Sequence, residues 1–174
     1  IKGLLDKSKI NKSDIDEIII GQVLTAGLGQ NPARQASMKA GLPKEIPAHI
    51  VNQVCGSGIR SIASAYQSLK SNDSKVIIAG GQENMSLAPH AIHLRDGKKL
   101  GDTELLDTMI KDGLWDAFHG YHMGVTAENV AEKFQITRNE QDKFALKSQE
   151  NALEAQKQNK FAEEIINFNI KSKK

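Results

Sequence analysis

The only cysteine of this 174-residue chain, Cys55, is the first candidate for chemistry. It lies in the segment VNQVCGSGI, between a strand-like run and a helix-like run, with glycines at positions 56 and 58. At such a junction, the N–H groups of the first helical turn and the helix dipole stabilise a thiolate. They can also hold the oxyanion that forms when a thiol attacks a carbonyl. The pattern favours a nucleophile on a sharp turn. The alternative is a small buried hydrophobic residue.

The five histidines of the chain are the next candidates, and any of them could be a base for Cys55. His90 and His93, like His119 and His122, are three residues apart, whereas His49 stands alone. We find no third ligand at a suitable distance from either pair, so the sequence predicts no metal site. A single cysteine also excludes an internal disulfide framework.

The composition argues against several classes of protein. The net charge of +2 comes from 23 basic and 21 acidic residues, and aromatic residues are only 5%. This balance argues against a nucleic-acid partner. The apolar runs are too short to span a bilayer, so we expect no membrane association. No signal peptide is visible, and the use of a single cysteine favours a reducing, cytoplasmic compartment.

Periodicity and turn residues predict the elements that must position Cys55. Asn31, Pro32 and Gly41 are typical of the cap residues of one helix. Ser13 and Asp16 have the spacing of a capping box. The predicted strands are EIIIGQVL (17–24), 48–54 and KVIIAGG (75–81), and a helix with Ile59, Ile62, Ala63, Tyr66 and Leu69 on one face is predicted over 58–69. Gly80 and Gly81 lack a phosphate-loop pattern and are interpreted as a chain reversal at a strand end.

This alternation of strands and helices predicts an α/β fold with a parallel or mixed sheet covered by helices. The small residues after Cys55 favour a helix buried at the centre of a domain, and an ordinary amphipathic helix is the alternative. The character of the sequence changes near Asn84. Beyond it we expect short mixed pieces over 85–120, a helix preceded by Thr126, a helix capped by Thr137 and Glu140 that runs to about Gln158, and a last strand, EIINFNI, over 164–170.

Four ordered segments resemble the thiolase family, and within it the biosynthetic acetyl-CoA acetyltransferases. They are NQVCGSG, VIIAGGQENMS, LAPHAIHLRDGKKLGD and LLDTMIKDGLWDAFHGYHMGVTAENVA, and the similarity runs from about Gly21 to the end. The resemblance implies ping-pong acyl transfer through an acyl-cysteine at Cys55. It joins two acetyl-CoA molecules to give acetoacetyl-CoA and CoA, and it includes the reverse thiolysis. It implies no cofactor, because the coenzyme A thioesters are substrates.

The same resemblance implies further roles. Leu114, His122 and Met123 match the positions that bind the substrate, and His122 would orient the pantetheine or thioester. The segment His93 to Asp102 matches the loop through which tetrameric members assemble, so a homotetramer (a dimer of dimers) is expected.

The resemblance also implies a division of the fold. Residues 1–84 would form the N-terminal α/β half-domain without its first strand, and residues 85–174 an incomplete loop domain. The catalytic base and a second cysteine would lie outside these residues, so the chain alone is expected to be inactive, with an exposed sheet edge and a half-buried helix. The alternatives are a ketoacyl synthase, a non-catalytic acyl-CoA-binding member of the same superfamily, and a structural domain in which Cys55 is inert.

Overall fold

The computed structural model describes residues 1–169 as two compact units. The first unit is Ile1–His122 and the second begins at Met123. The proposed boundary near Asn84 stays a prediction. Within the described residues, no helix is both long enough and apolar enough to cross a membrane.

The first unit contains a three-stranded parallel sheet. The α-helices and strands of this unit are α1 (Lys2–Ser8), β1 (Glu17–Gly21), α2 (Pro32–Ala40), β2 (Ala48–Val51), α3 (Ser57–Ser71), β3 (Ile77–Gly81), β4 (His90–Ala91) and β5 (Leu106–Asp107). The strand order is β2-β1-β3, and Ile19 of β1 pairs with His49 on one side and Ala79 on the other. The parallel sheet confirms the predicted α/β class. A short antiparallel pair, β4 and β5, follows.

The core is formed by residues of α1, β1, α2 and β3 and of the loops beside them. Ile18 and Ala33 are fully buried, and they belong to one cluster with Leu5, Ile15, Ile20, Ala40, Leu42, Ile46 and Ile78. The predicted caps of α2 are confirmed. The side chain of Asn31 accepts the N–H of Arg34 at 3.1 Å, Pro32 opens the helix, and Gly41 closes it with φ 75°. These caps fix where α2 begins and ends over the core.

Helix α3 buries its small residues and exposes its apolar stripe. Ser57, Ser61 and Ala65 are buried, four residues apart. Ile59, Ile62, Tyr66 and Leu69 are 40–69% exposed. The helix is therefore half-buried in the described residues, as expected for this chain alone, and its burial at the centre of the whole domain stays a prediction. The small residues are buried because they let the helix approach the sheet closely, and the predicted apolar stripe lies on the other side.

Several local predictions are also corrected. Asp16 does not form a capping box with Ser13, because its carboxylate instead accepts the N–H groups of Lys75 at 2.7 Å and Val76 at 2.9 Å. β1 and β2 end before the predicted residues 24 and 54, because the N–H groups of residues 23 and 24 bond to the side chain of Glu83 and that of Val54 to the side chain of Asn52, not to a neighbouring strand. β3 begins at Ile77, two residues after the predicted start, and Ile78 is its one buried residue.

In its described residues, 123–169, the second unit has two helices, α4 (Met123–Lys133) and α5 (Arg138–Lys157). Thr126 lies inside α4, which begins three residues before it. The predicted capping box of α5 is confirmed. Thr137 and Glu140 exchange hydrogen bonds, and the helix ends at Lys157 with Gln158 as its C-cap, close to the predicted end. Residues 164–169 form no strand, because no neighbouring strand pairs with them among the described residues, and Ile170 of that prediction lies outside them.

Candidate active site

Cys55 lies on a tight turn between β2 and α3, and its side chain is exposed. The turn is closed by two backbone hydrogen bonds, from the N–H of Gly56 to the carbonyl of Gln53 and from the N–H of Ser57 to that of Val54, both 3.0 Å. Val54 has φ 48°, a left-handed conformation that is costly for a β-branched residue. The strain lies next to the candidate nucleophile, where surrounding contacts must maintain it. The structure therefore agrees with the predicted strand-to-helix junction.

The hydroxyl of Ser57 supplies one of those contacts. Ser57 is 4% exposed, and its Oγ accepts the N–H of Gln53 at 2.9 Å while donating to the carbonyl of Val54 at 2.6 Å. The side chain of Asn52 also accepts the N–H of Val54 at 2.9 Å. These bonds fix the backbone of Gln53 and Val54, the two residues before Cys55. The conformation of the turn therefore determines where the sulfur lies.

Backbone N–H groups remain available around this turn. Over residues 1–169, the N–H groups of Cys55, Gly58 and Ile59 have no acceptor within the chain. Unpaired N–H groups at a helix start favour a negative charge nearby. The turn can therefore stabilise a thiolate or an oxyanion, the chemistry that the sequence favours for Cys55.

Glycines bring this turn close to the sheet. A Cβ on Gly21 of β1 would lie 2.3 Å from the backbone carbonyl of Ser57, which no real side chain tolerates. A Cβ on Gly81 of β3 would lie 3.4 Å from Cα of Gly58. The hydroxyl of Ser61 lies 2.7 Å from the carbonyl of Gly80. Gly21 thus lets α3 pack on the strand ends, and Gly80 accepts a hydrogen bond from the helix, a role that the predicted chain reversal did not include.

A cleft of about 340 Å³ opens beside the sulfur. It is lined by residues that leave β1 (21–23), residues of the turn and α3 (54, 55, 57 and 58) and residues that leave β3 (81–83). Gln22, 3% exposed, donates from Nε2 to the carbonyl of Leu24 at 3.1 Å and accepts at Oε1 from Nε2 of Gln82 at 2.8 Å. Glu83 accepts the N–H groups of Val23 and Leu24. The cleft therefore lies at the carboxyl ends of the parallel strands, where α/β sheets bind ligands.

Sequence reasoning missed the roles of Gln22, Gln82 and Glu83. A signal was present, because polar residues directly follow the predicted strands β1 and β3. The carboxyl ends of neighbouring parallel strands meet at one edge of the sheet. Grouping the residues that follow each strand would have placed these three side chains beside Cys55.

The predicted substrate-binding residues lie outside the lining of this cleft. Leu114 ends a π-helix, Ile110–Leu114, and is half-buried, whereas His122 is exposed and forms an antiparallel bridge with Trp115. Met123 begins α4 in the second unit, and its sulfur lies 4.0 Å from the hydroxyl of Thr126. Their role in binding stays a prediction.

A turn organised by Asp116 leads to His122. The Asp116 carboxylate accepts the N–H groups of Phe118 at 2.8 Å and His119 at 3.1 Å, and it lies 2.9 Å from Nδ1 of His119. Hydrogen bonding to Phe118, and then to His119, lowers the pKa of Asp116 below its ordinary value. The N–H of Asp116 donates to the carbonyl of Tyr121 at 2.8 Å, which closes the turn.

The remaining histidines do not gather around Cys55. Nδ1 of His49 lies 3.3 Å from the carboxylate of Glu17 on the neighbouring strand, and His90 lies on β4. Across residues 1–169, no three His, Cys, Asp or Glu side chains are grouped to hold a metal ion. Neither His49 nor His90 lines the cleft, so the structure brings no predicted histidine base to that lining.

Comparison with known proteins places these features in one family. The family model described as "Thiolase, N-terminal domain" matches residues 1–174. Acetyl-CoA acetyltransferases from Rhizobium meliloti and from rat, the latter named as cytosolic, are 59% and 50% identical over the whole chain. The chain spans 44% of the length of each of these relatives.

A solved structure gives the same result at the level of the fold. The Acat5 thiolase from Ascaris suum, determined in complex with coenzyme A, matches with a TM-score of 0.90 and 34% identity, over 95% of this chain and 43% of that one. Together with the family model that matches every residue, this likeness shows that the chain belongs to the thiolase family, of which it carries the N-terminal domain.

Proposed function

We propose that the natural polypeptide carrying this sequence is an acetyl-CoA C-acetyltransferase that works through an acyl-cysteine at Cys55. The observation that supports this most directly is the exposed sulfur on a strained turn with unpaired N–H groups, beside a cleft at the carboxyl ends of the strands. The acetyl-CoA acetyltransferases that match the whole chain supply the substrate class.

The proposed reaction has two halves. In the first, the thiolate of Cys55 attacks the carbonyl carbon of acetyl-CoA. The bond from that carbon to the CoA sulfur breaks, and CoA leaves and takes up a proton. In the second, a base removes a proton from the methyl carbon of another acetyl-CoA. The resulting carbanion attacks the acyl-cysteine, the bond to Cys55 breaks, and acetoacetyl-CoA forms. The reverse sequence is thiolysis. Transfer to sulfur retains the thioester, and the N–H groups at the turn stabilise the charge on the carbonyl oxygen.

Other parts of the site belong to the same proposal. Leu114, His122 and Met123 would contact the pantetheine arm, with His122 orienting the thioester. The base and a second cysteine would lie in the part of the relatives that this chain does not span. No cofactor is required, because both coenzyme A thioesters are substrates.

The test is covalent labelling of the natural polypeptide. Acetyl-CoA labelled in its acetyl group is expected to label the tryptic peptide that contains Cys55, and prior iodoacetamide treatment should block the labelling. The Cys55→Ala variant should lose both the label and thiolysis of acetoacetyl-CoA. Label on any other peptide would overturn the proposal.

Activity with malonyl thioesters, but none with acetoacetyl-CoA, would favour a ketoacyl synthase. Tight acyl-CoA binding without turnover would favour a binding protein, and slow alkylation of Cys55 in the folded protein would favour an inert structural domain.

We also propose a homotetramer, a dimer of dimers, in the cytoplasm. The segment 93–102 is exposed throughout, and Leu100 in it is 91% exposed. The rat relative that is named cytosolic supports the compartment. Light scattering of the natural polypeptide and of its Leu100→Glu variant tests the assembly. Four copies in the wild type and fewer in the variant are expected, and a monomeric wild type would contradict the proposal.

A further inference from the structure

Two carboxylates bind pairs of backbone N–H groups at opposite ends of the parallel sheet. Asp16, at the amino end of β1, accepts from Lys75 and Val76, which lead into β3. Glu83, beyond the carboxyl end of β3, accepts from Val23 and Leu24, which leave β1. The chemistry is the same at both ends, but only Glu83 lines the cleft that contains Cys55.

Glu83 holds its two partners with both carboxylate oxygens. Oε2 lies 2.9 Å from the N–H nitrogen of Val23 and 3.3 Å from that of Leu24, and Oε1 lies 3.2 Å from that of Leu24. The carbonyl of Leu24 is held as well, by the amide of Gln22, which is in turn held by Gln82. Side chains therefore bind both backbone polar groups of Leu24, although this segment has left the sheet. Hydrogen bonds to a carboxylate are stronger than neutral ones, so Glu83 is the main restraint in this network.

The segment that Glu83 holds reaches in two directions. Val23 lines the cleft beside Cys55. Leu24 is 7% exposed, and its Cδ2 would lie 3.6 Å from a Cβ placed on Gly113, which is ordinary packing distance. Gly113 precedes Leu114 in the π-helix 110–114. One rigid dipeptide thus connects the wall of the nucleophile cleft to the helix that carries a proposed pantetheine-binding residue.

We propose that Glu83 is a positioning residue for acyl transfer, which holds Val23 and Leu24 so that the cleft at Cys55 and the helix ending at Leu114 keep the spacing that a bound acyl-CoA requires. This inference rests on the proposed function. Glu83 touches neither reacting atoms nor substrate in the proposal. It acts through the backbone of the residues it binds, and displacements of about 1 Å in such a support can cost on the order of a hundredfold in rate.

The experiment compares two reactions of the same sulfur in the natural polypeptide. Acylation by labelled acetyl-CoA, measured in a single turnover, needs the thioester to be aligned in the cleft. Alkylation by iodoacetamide needs only an accessible thiolate. The variants are Glu83→Gln, which keeps the size but replaces one acceptor oxygen with an NH₂ group, and Glu83→Ala. The matched control is Asp16→Asn, which makes the same change of chemistry at the far end of the sheet.

Glu83→Gln is expected to slow acylation by about tenfold or more, because the backbone that Glu83 holds would move from its productive position. It is expected to change the rate of alkylation by less than about twofold. Asp16→Asn should leave both rates near those of the wild type. In steady state, kcat for thiolysis should fall more than KM for CoA rises. Equal losses in acylation and alkylation, or equal effects of Glu83→Gln and Asp16→Asn, would overturn the positioning role.

Two outcomes separate this inference from the proposed function. If wild-type Cys55 takes no label from acetyl-CoA, the proposed function fails, whatever the variants do. If the wild type is labelled and both Glu83 variants are labelled equally fast, the positioning role alone fails. Should Glu83→Ala fold poorly, its melting temperature will show it, and the ratio of the two rates in Glu83→Gln still decides.

Discussion

At the scale of single residues, the position of Cys55 depends on neighbours that do no chemistry themselves. Val54 is held at a positive φ by hydrogen bonds from its own N–H and to its carbonyl. Ser57 makes one of these bonds and also receives the N–H of Gln53. The Ser57 hydroxyl therefore ties two residues of the turn to the start of α3.

Replacement of Ser57 by alanine is therefore expected to destabilise the protein by about 0.5–1.5 kcal/mol, because the N–H of Gln53 loses its acceptor and the carbonyl of Val54 keeps only the N–H of residue 57 as a donor. We also expect slower acylation of Cys55, since the strained turn relaxes. Chemical denaturation and single-turnover labelling measure the two effects. The control is Ser71→Ala, at the exposed end of the same helix, where the serine bonds to Ser68 and Asp73. A loss of stability no greater than that of the control would contradict the structural role of Ser57.

At the scale of elements, glycines decide how closely α3 can approach the sheet. Gly21 faces the backbone of Ser57 and Gly58 at distances where no Cβ fits, whereas a Cβ on Gly58 would have its nearest neighbour, Cα of Gly81, at 4.0 Å. Replacement of glycine by alanine is therefore expected to have opposite effects on stability at Gly21 and at Gly58, although the two residues lie close together.

Gly21→Ala is expected to destabilise the protein severely, by about 4 kcal/mol or more, because backbone on both sides would have to move. Gly58→Ala should be close to neutral or slightly stabilising, by up to about 1 kcal/mol, since alanine is the better helix former. Denaturation of the purified variants tests this pair. Similar stabilities for the two would show that α3 is not packed against β1 as described.

The hydrogen bonds from the segment before β3 to the carboxylate of Asp16 stabilise the protein to a degree that depends on pH. Hydrogen bonds from Val76 and then Lys75 lower the pKa of Asp16 below its ordinary 3.8. The folded state then binds fewer protons than the unfolded state, so this stabilisation is present above the ordinary pKa and is lost as the pH falls through the lowered one.

Asp16→Asn should therefore be less stable than the wild type at neutral pH, and the difference should shrink on acidification below about pH 4, near the ordinary pKa. Melting temperatures from pH 7 to pH 3 provide the measurement. A difference that stays constant over this range would rule out titration of Asp16 as its source.

At the scale of the whole molecule, the first unit leaves an apolar face uncovered. Ile59 and Ile62, together with Tyr66 and Leu69, form a stripe along α3 on the side away from the sheet. The relatives are more than twice as long as this chain, which spans 44% of each. We expect the remainder of the natural polypeptide to cover this stripe, because a contiguous apolar patch of this kind marks an interface.

A charge placed in that stripe tests this expectation. Ile62→Glu should destabilise the natural polypeptide by several kcal/mol, because the carboxylate would be buried without a partner. Ile10→Glu is the matched control, since Ile10 is 43% exposed, against 51% for Ile62, and lies outside the stripe. Equal melting temperatures for the two variants would mean that the stripe stays exposed.

Much of this protein follows from the sequence by itself. The caps of α2, the capping box of α5, the strands on either side of α2 and the turn that presents Cys55 are all encoded by residues close together in the chain, because caps and turns depend on local hydrogen bonds. The four motifs between residues 52 and 131 were also sufficient to identify the family, which the comparisons confirm.

The tertiary structure decided what depends on contacts between distant residues. Asp16 binds Lys75 and Val76 instead of capping its own turn, and Glu83 binds Val23 and Leu24, some sixty residues away. The small face of α3, not its apolar stripe, packs on the sheet, because Gly21 permits a close approach that periodicity cannot reveal. Such pairings depend on strand order and register, which are set only when the sheet assembles. The sequence therefore indicated the residue that we propose to carry the chemistry, and only the fold determined which residues hold it in place.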